Sequence, residues 1–599
     1  MSREEETDFF FFSRLFLFPI SRSVDYPEEF LIGQLGEFGR YQWIQYLLHL
    51  LPAFTGGVHM LSQVEVGATP RHRCLAVNDT ILEYVGSCHY VSVRNETLPC
   101  KAWEYDRTYY ESTIVTDWDL VCDRRWMASV SQSAYMLGAL IASSLLGQLS
   151  DRYGRWKVLV PTGALQMVFA TGCGFVQNYY LYVALRFLIA VNVSGAYMIG
   201  FVLTMEMAPD RYRTMIGFSF QLVFALGITV VAGWSYLVRH WPILQIIFGL
   251  HSSLMLLHWW FVDESPRWLF SQGRYQECDA IIRKMLIQNG KADAIPEQGF
   301  TIDQLQRALS TTTSDIGRQE PLEQPTTNVT PVVVQEGGKE VTTVAVSPPV
   351  SSSDRKYGIV DLFKTPRLRS RTLNISLNWF ANSLVYYGLT LNSGSLVGDP
   401  HLMLFISGII EVPAYLLSAK IIDILGRRPV ISFCLVSGGL ACICTTYFPQ
   451  SSFAWTTATT SVVMLGKSLI SISFAIIYNY TAELFPTVVR SSAVGIGSTS
   501  ARVSGTLTPL IFLLDSLDPK LPSVLFGIVA LAAGFFSLYL PETRDSPLLH
   551  TLTEGEEFGV GDTGFARLCG GNKSPLDNER VFETAASTAN IIQLESQKE

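Results

Sequence analysis

The sequence predicts an all-α membrane protein: twelve transmembrane helices in two six-helix pseudo-repeat bundles, with a disulfide-bearing loop outside the membrane. Three observations predict it. Only 16% of the 599 residues are charged, against about 25% in soluble domains, and mean hydropathy is +0.26. Apolar residues gather in repeated runs of about 20, the length an α-helix needs to cross a bilayer. Short charged patterns recur at a nearly constant offset between the two halves of the chain. The formal net charge of −8 excludes little, because orientation follows local Lys/Arg placement rather than the total. It offers nothing to nucleic acid, and the bilayer is the partner that composition demands.

The runs place spans at 41–63, 126–146, 158–178, 183–205, 214–236, 242–262, 372–394, 400–420, 430–448, 456–480, 491–514 and 521–540. The chain divides accordingly. An N-terminus (1–40) precedes a six-helix bundle (41–262), a linker (263–371) leads to a second bundle (372–541), and a tail (542–599) follows. The N-terminal FFFFSRLFLFPI, Phe9–Ile20, is too short to cross and lacks a small-residue cleavage site. The middle of the linker is rich in Thr, Pro, Ser and Glu and reads as unstructured.

Basic residues cluster at 151–157, 211–213, 267–274, 427–428 and 490, which are alternate loops. The positive-inside rule puts those loops and both termini in the cytoplasm, at the plasma membrane. The segment 64–125 is then extracellular, and its Cys74, Cys88, Cys100 and Cys122 form two disulfides in any of three pairings. Sequons at Asn78 and Asn95 fall in the same loop and can accept glycans.

The charged patterns give the repeat. Asp151-Arg152-Tyr-Gly154-Arg155 returns as Asp423-Ile-Leu-Gly426-Arg427-Arg428, 272 residues later. Glu206, followed by Arg213, returns 277 residues later as Glu483, followed by Arg490. Glu264-Ser-Pro-Arg is echoed at Glu542 after 278. Parallel halves of this kind rock about a midplane site to give alternating access. The glycine supplies backbone freedom in a tight turn, and the acids and arginines can bridge helix ends. These residues are therefore expected to form a cytoplasmic gate whose contacts exist when the halves close there.

Charges inside spans cost roughly 2.5–3.5 kcal/mol each at a helix centre, so they mark function. Arg502, 12 residues beyond Arg490, lies about 18 Å into a core of about 30 Å. Glu411 and Lys467 reach similar depth, whereas the first half shows only polar Gln132 and Gln221 there. Glu411 is expected to pair with Lys467, leaving Arg502 to meet a carboxylate through its planar donor fork. The structural alternative pairs Glu411 with Arg502 while Lys467 snorkels. Aromatic faces attract a quaternary or protonated amine. Tyr386 and Tyr387 in the seventh span, and Tyr197 and Phe201 in the fourth, are the candidates, with Gln221 beside them.

At these motifs the chain resembles the major facilitator superfamily. GQLSDRYGRWKV (Gly147–Val158) is similar to its signature loop, ESPRWL to the end of its sixth span and LPET to the end of its twelfth. Sugar porters share these. STIVTDWDLVC (Ser112–Cys122), WFANSLVYYGLTLN (Trp379–Asn392), EVPAY (Glu411–Tyr415) and YTAELFPTVVR (Tyr480–Arg490) resemble the organic cation/anion/zwitterion transporter family. The resemblance runs from about Gly33 to Thr543, outside the linker and tails. It implies Arg at position 502 as in anion and carnitine transporters, where cation transporters carry an acid. Tyr415 stands where the anion branch has Lys, and LGKSLISISF is similar to the carnitine branch. The implied substrate is a small organic zwitterion, then a cation, then an anion.

A sugar porter lacks the disulfide loop and the mid-span Arg502, and a ligand sensor on the same scaffold is a further alternative. Without HExxH, GxSxG or CxxC the chain is not expected to be an enzyme. No cofactor is expected, and no Walker A loop offers ATP drive. Coupling to Na+ or H+, facilitated diffusion and oligomeric state are all left open by the sequence.

Overall fold

A computed structural model of the chain describes residues 38–75, 81–92, 96–208, 212–296, 300–301, 304, 332–336, 339–343, 358–395, 398–449, 452–544, 546, 549 and 551–564. The Phe-rich N-terminus, Asn78 and Asn95 lie outside them. Contacts divide the chain into two units, one of Met1–Tyr41 with Gly273–Ala345 and one of Gln42–Gln272 with Val346–Glu599.

In the first unit, helix Tyr275–Gln288 buries Cys278, Ile282, Met285 and Leu286 on one face. The middle of the linker, expected to be unstructured, contains strands Val332–Glu336 and Lys339–Thr343 paired antiparallel. The reason is local: β-branched runs flank Gly337-Gly338, a hairpin signal that composition obscured.

In the second unit, eight helices among the described residues are long and apolar enough to cross a membrane. Shorter Leu521–Ser537 follows them. Arg40–His49 with Leu51–Val66, Pro366–Leu391 and Thr487–Ile511 complete the set, and each is interrupted or polar. Those helices carry Gly56, Ser383, Tyr386, Ser498 and Arg502, which face a cavity rather than lipid.

Between the first and second spans the chain forms small antiparallel sheets, His72–Leu75 with Ala102–Tyr105 and Ile81–Val85, His89–Ser92 and Thr97–Pro99 in order. Of the three possible pairings, the structure has Cys74–Cys100 and Cys88–Cys122. The second bridge ties the sheet to the start of helix Arg125–Tyr153. Replacing Cys88 and Cys122 by Ser is expected to cost about 2–5 kcal/mol, read as a lowered midpoint for thermal unfolding in detergent. We call this end of the bundles the disulfide side and the opposite end the knot side.

On the knot side the repeated motifs make matching turns. Gly154 has φ 112° and Gly426 φ 89°, values that disfavour any side chain. A Cβ there would also meet the carboxylates of Glu264 at 2.3 Å and Glu542 at 2.8 Å. Those carboxylates cap the next helix. Glu264 accepts from the N–H groups of Arg155 (2.8 Å) and Trp156, and Glu542 from Arg427 (2.9 Å) and Arg428 (3.1 Å). Burial pushes the Glu264 carboxyl above its ordinary range, against these N–H groups and the Arg155 charge.

The tail also folds back. Glu556 accepts from the N–H groups of Arg367 (2.9 Å) and Leu368 (3.0 Å), Arg371 donates to the carbonyls of Gly555 and Phe558, and Arg428 reaches Asp562 at 3.3 Å. Gly564 N–H closes on Leu538 O at 2.7 Å.

Candidate functional site

A central cavity lies between the halves. The first half lines it with Gly56, Met60, Tyr135, Met136, Ala139, Val193, Ser194, Tyr197, Gln221 and Phe224. The second contributes Ser383, Tyr386, Tyr387, Phe474, Tyr478, Ser498, Ala501 and Arg502. Seven of these are aromatic rings and one is charged. Helix Thr487–Ile511 places Arg502 one turn from Ser498, to whose hydroxyl and carbonyl (3.2 Å) its guanidinium donates. No carboxylate pairs with Arg502 among the described residues. Tyr387 and Tyr386 stack edge to face (5.2 Å), and Phe474 packs on Tyr386 (5.7 Å) and on Tyr478 (6.1 Å). A lone guanidinium opposite a wall of rings offers a carboxylate one partner and an ammonium several.

Glu411 does pair with Lys467, at 3.0 Å, and neither side chain is more than 1% exposed. The Glu411 carboxylate also accepts from Tyr386 OH (3.1 Å) and Tyr415 OH (2.9 Å), while Lys467 bonds Ser407. The pair sits behind the lining, so its assignment to direct contact with a substrate is corrected. Glu411 meets the cavity only through Tyr386. Phe201 likewise packs on Phe220, 5.2 Å between rings, outside the lining. Arg502, Tyr386, Tyr387, Tyr197 and Gln221 are brought together.

The knot residues also need correcting. Arg155 bonds Asp151 (2.7 Å) and Glu206 (3.0 Å), all in the first half, and Arg427 bonds Glu483 (3.0 Å) and Asp423 (4.0 Å), all in the second. They brace each bundle internally instead of depending on closure between bundles. The acids come from the neighbouring helices of the same half, which pack against each turn. Arg152 lies 5.5 Å from the Tyr153 ring, and Arg490 donates to Phe485 O. The Arg213 side chain is outside the described residues.

Contacts that do join the halves gather on the disulfide side. Arg125 pairs with Asp515, Ser133 donates to Thr506 O (2.9 Å), and His401 Nδ1 meets Glu65 at 2.8 Å. Glu65 and His401 are 1% and 3% exposed at their side chains. Tyr110 OH also donates to Glu65 (3.1 Å), and His401 Nε2 faces Tyr109 O (3.4 Å). Burial first, and Glu65 second, push the Tyr110 hydroxyl above its ordinary value, so it stays a donor. Glu65→Gln is expected to loosen this closure. A cysteine placed at Met136 should then react several-fold faster with an impermeant thiol reagent applied from the disulfide side.

Sequence reasoning missed Glu65, His401, Tyr135, Phe474, Tyr478 and the buried Arg186. Arg186 lay near a predicted span edge, where a charge reads as snorkelling.

The sugar (and other) transporter family pattern matches residues 88–333. The major facilitator superfamily pattern matches 370–582. An organic cation transporter-like protein of Drosophila melanogaster is 34% identical, over 88% of this chain and 92% of its own. Human solute carrier family 22 member 16 is 32% identical, covering 88% and 92%, and human organic cation/carnitine transporter 2 is 30% identical, covering 88% and 94%. Among solved structures, the proton:xylose symporter XylE bound to 6-bromo-6-deoxy-D-glucose aligns with TM-score 0.54 at 16% identity, over 85% of this chain and 98% of that one. That likeness shows the fold. The relatives' extent and identity show more, and the chain belongs to the organic cation transporter family of solute carriers within the major facilitator superfamily.

Proposed function

We propose that this protein carries small organic zwitterions of the carnitine type across the plasma membrane by alternating access, with the knots and both termini in the cytoplasm and glycans on the opposite face. It is a transporter and not an enzyme, as are the carriers it resembles. One observation carries the zwitterion reading: among the described residues Arg502 is the single charge on a cavity lining that holds seven aromatic rings, and no described carboxylate satisfies it. A carboxylate bound there gains a charge-assisted pair, while a quaternary ammonium at its other end lies against rings.

An organic anion is favoured next, because no acid among the described residues lines the cavity to receive a simple cation. Uptake by reconstituted protein of carnitine, tetraethylammonium and benzoate, each with and without a sodium gradient, tests this. Saturable carnitine uptake exceeding both others is expected. Tetraethylammonium as the preferred solute would overturn the zwitterion reading, and binding without accumulation would make the protein a sensor.

A further inference from the structure

Arg186 of helix Tyr179–Met207 is fully buried, seven residues or about 10 Å inside the disulfide-side end. Its donors reach only neutral oxygens: His59 O (3.2 Å), Ser62 Oγ (3.0 Å) and Gln132 Oε1 (2.9 Å). No carboxylate pairs with it among the described residues. A buried cation without an anionic partner is expensive, and a neutral side chain of the same length would bridge these oxygens at less cost. The guanidinium carbon lies 4.5 Å from the centroid of the Tyr135 ring. Tyr135 in turn lines the cavity. One aromatic ring therefore separates this charge from any bound solute.

We infer that Arg186 is a specificity-determining residue, whose charge acts through the Tyr135 ring to select solutes bearing a carboxylate and to disfavour those bearing only positive charge. The inference rests on the cavity being the transport site. A ring whose electrons already face one cation attracts a second more weakly. A solute ammonium on Tyr135 would also sit about 8 Å from the guanidinium, where an effective dielectric constant of about 20 gives roughly tenfold discrimination or more. Arg502 adds to the same field from the second half. A zwitterion offsets both with its carboxylate, and a simple cation has nothing to offset them with.

Gln132→Glu tests this, since it is isosteric, lies outside the cavity lining and places a carboxylate on Arg186; it gives up the donation from Gln132 Nε2 to Met60 O (3.3 Å), a loss that bears on both solutes alike. Uptake of carnitine and tetraethylammonium would be measured in proteoliposomes for the wild type, Gln132→Glu, Arg186→Gln and Arg186→Lys. In Gln132→Glu and Arg186→Gln the tetraethylammonium-to-carnitine ratio of kcat/KM should rise about tenfold, while Arg186→Lys should stay near the wild-type ratio. A structural brace alone would lower both solutes together. An unchanged ratio in Gln132→Glu, with the wild type active, overturns the inference and leaves the transport site intact. Wild-type protein that takes up neither solute removes the site assignment and this inference together.

Discussion

Arg502→Ala is expected to reduce carnitine uptake at least roughly 30-fold, while Arg502→Lys keeps a measurable part. The guanidinium lines the cavity and is held only by Ser498, one turn away on its own helix. Truncating one partner of a buried charge-assisted pair costs about 2–5 kcal/mol, much of it from leaving the other charge unpaired. Here that other charge belongs to the solute, so the loss falls on uptake and not on folding. Radiolabel uptake normalised to surface protein, alongside an unfolding midpoint, separates the two. Lysine restores the charge but not the planar fork. If carnitine uptake survives Arg502→Ala, the carboxylate binds elsewhere.

Lys467→Met should have the second large effect, and it should be a loss of folded protein. Glu411 and Lys467 are buried at 3.0 Å, and removing one partner of such a pair costs about 3–5 kcal/mol. Lys467→Met leaves a carboxylate with only Tyr386 and Tyr415 as donors. The double variant Glu411→Gln with Lys467→Met removes both charges and keeps those hydroxyl bonds. It should recover most of the stability, because replacing a whole buried pair is often neutral. Detergent-solubilised protein followed by thermal unfolding shows this directly. A double variant as unstable as the single would mean that Lys467 acts through Ser407 or its stem packing, not through Glu411.

The architecture was legible because bilayer thickness imposes a length on each apolar run, and the knot motifs repeat at offsets that only duplicated halves explain. The Glu411–Lys467 pair was legible too, since three charges at one depth leave few ways to neutralise. What failed depended on contacts distant in sequence. Glu65 and His401 are 336 residues apart, and each stands at a span end where a polar residue reads as interfacial. The knot motifs suggest a clasp between bundles in sequence, because their spacing does not say which half supplies the facing acid. It likewise shows Glu264 and Glu542 as a repeat without revealing that they cap the next helix. The strands of the disulfide loop carried a signal in the β-branched and aromatic residues of ILEYVGSCHYVSV.

The returning tail makes the two pseudo-symmetric bundles mechanically unequal. Arg371 and Arg428 of the second bundle are satisfied by carbonyls and a carboxylate from Gly555 to Asp562, residues that lie beyond its last membrane helix. Cutting the chain ahead of Leu552 would strip Arg371 of both carbonyls and leave the Arg428 guanidinium with Leu540 O alone among the described residues. A purification handle or fluorescent reporter spliced between Gly555 and Asp562 would break this buckle.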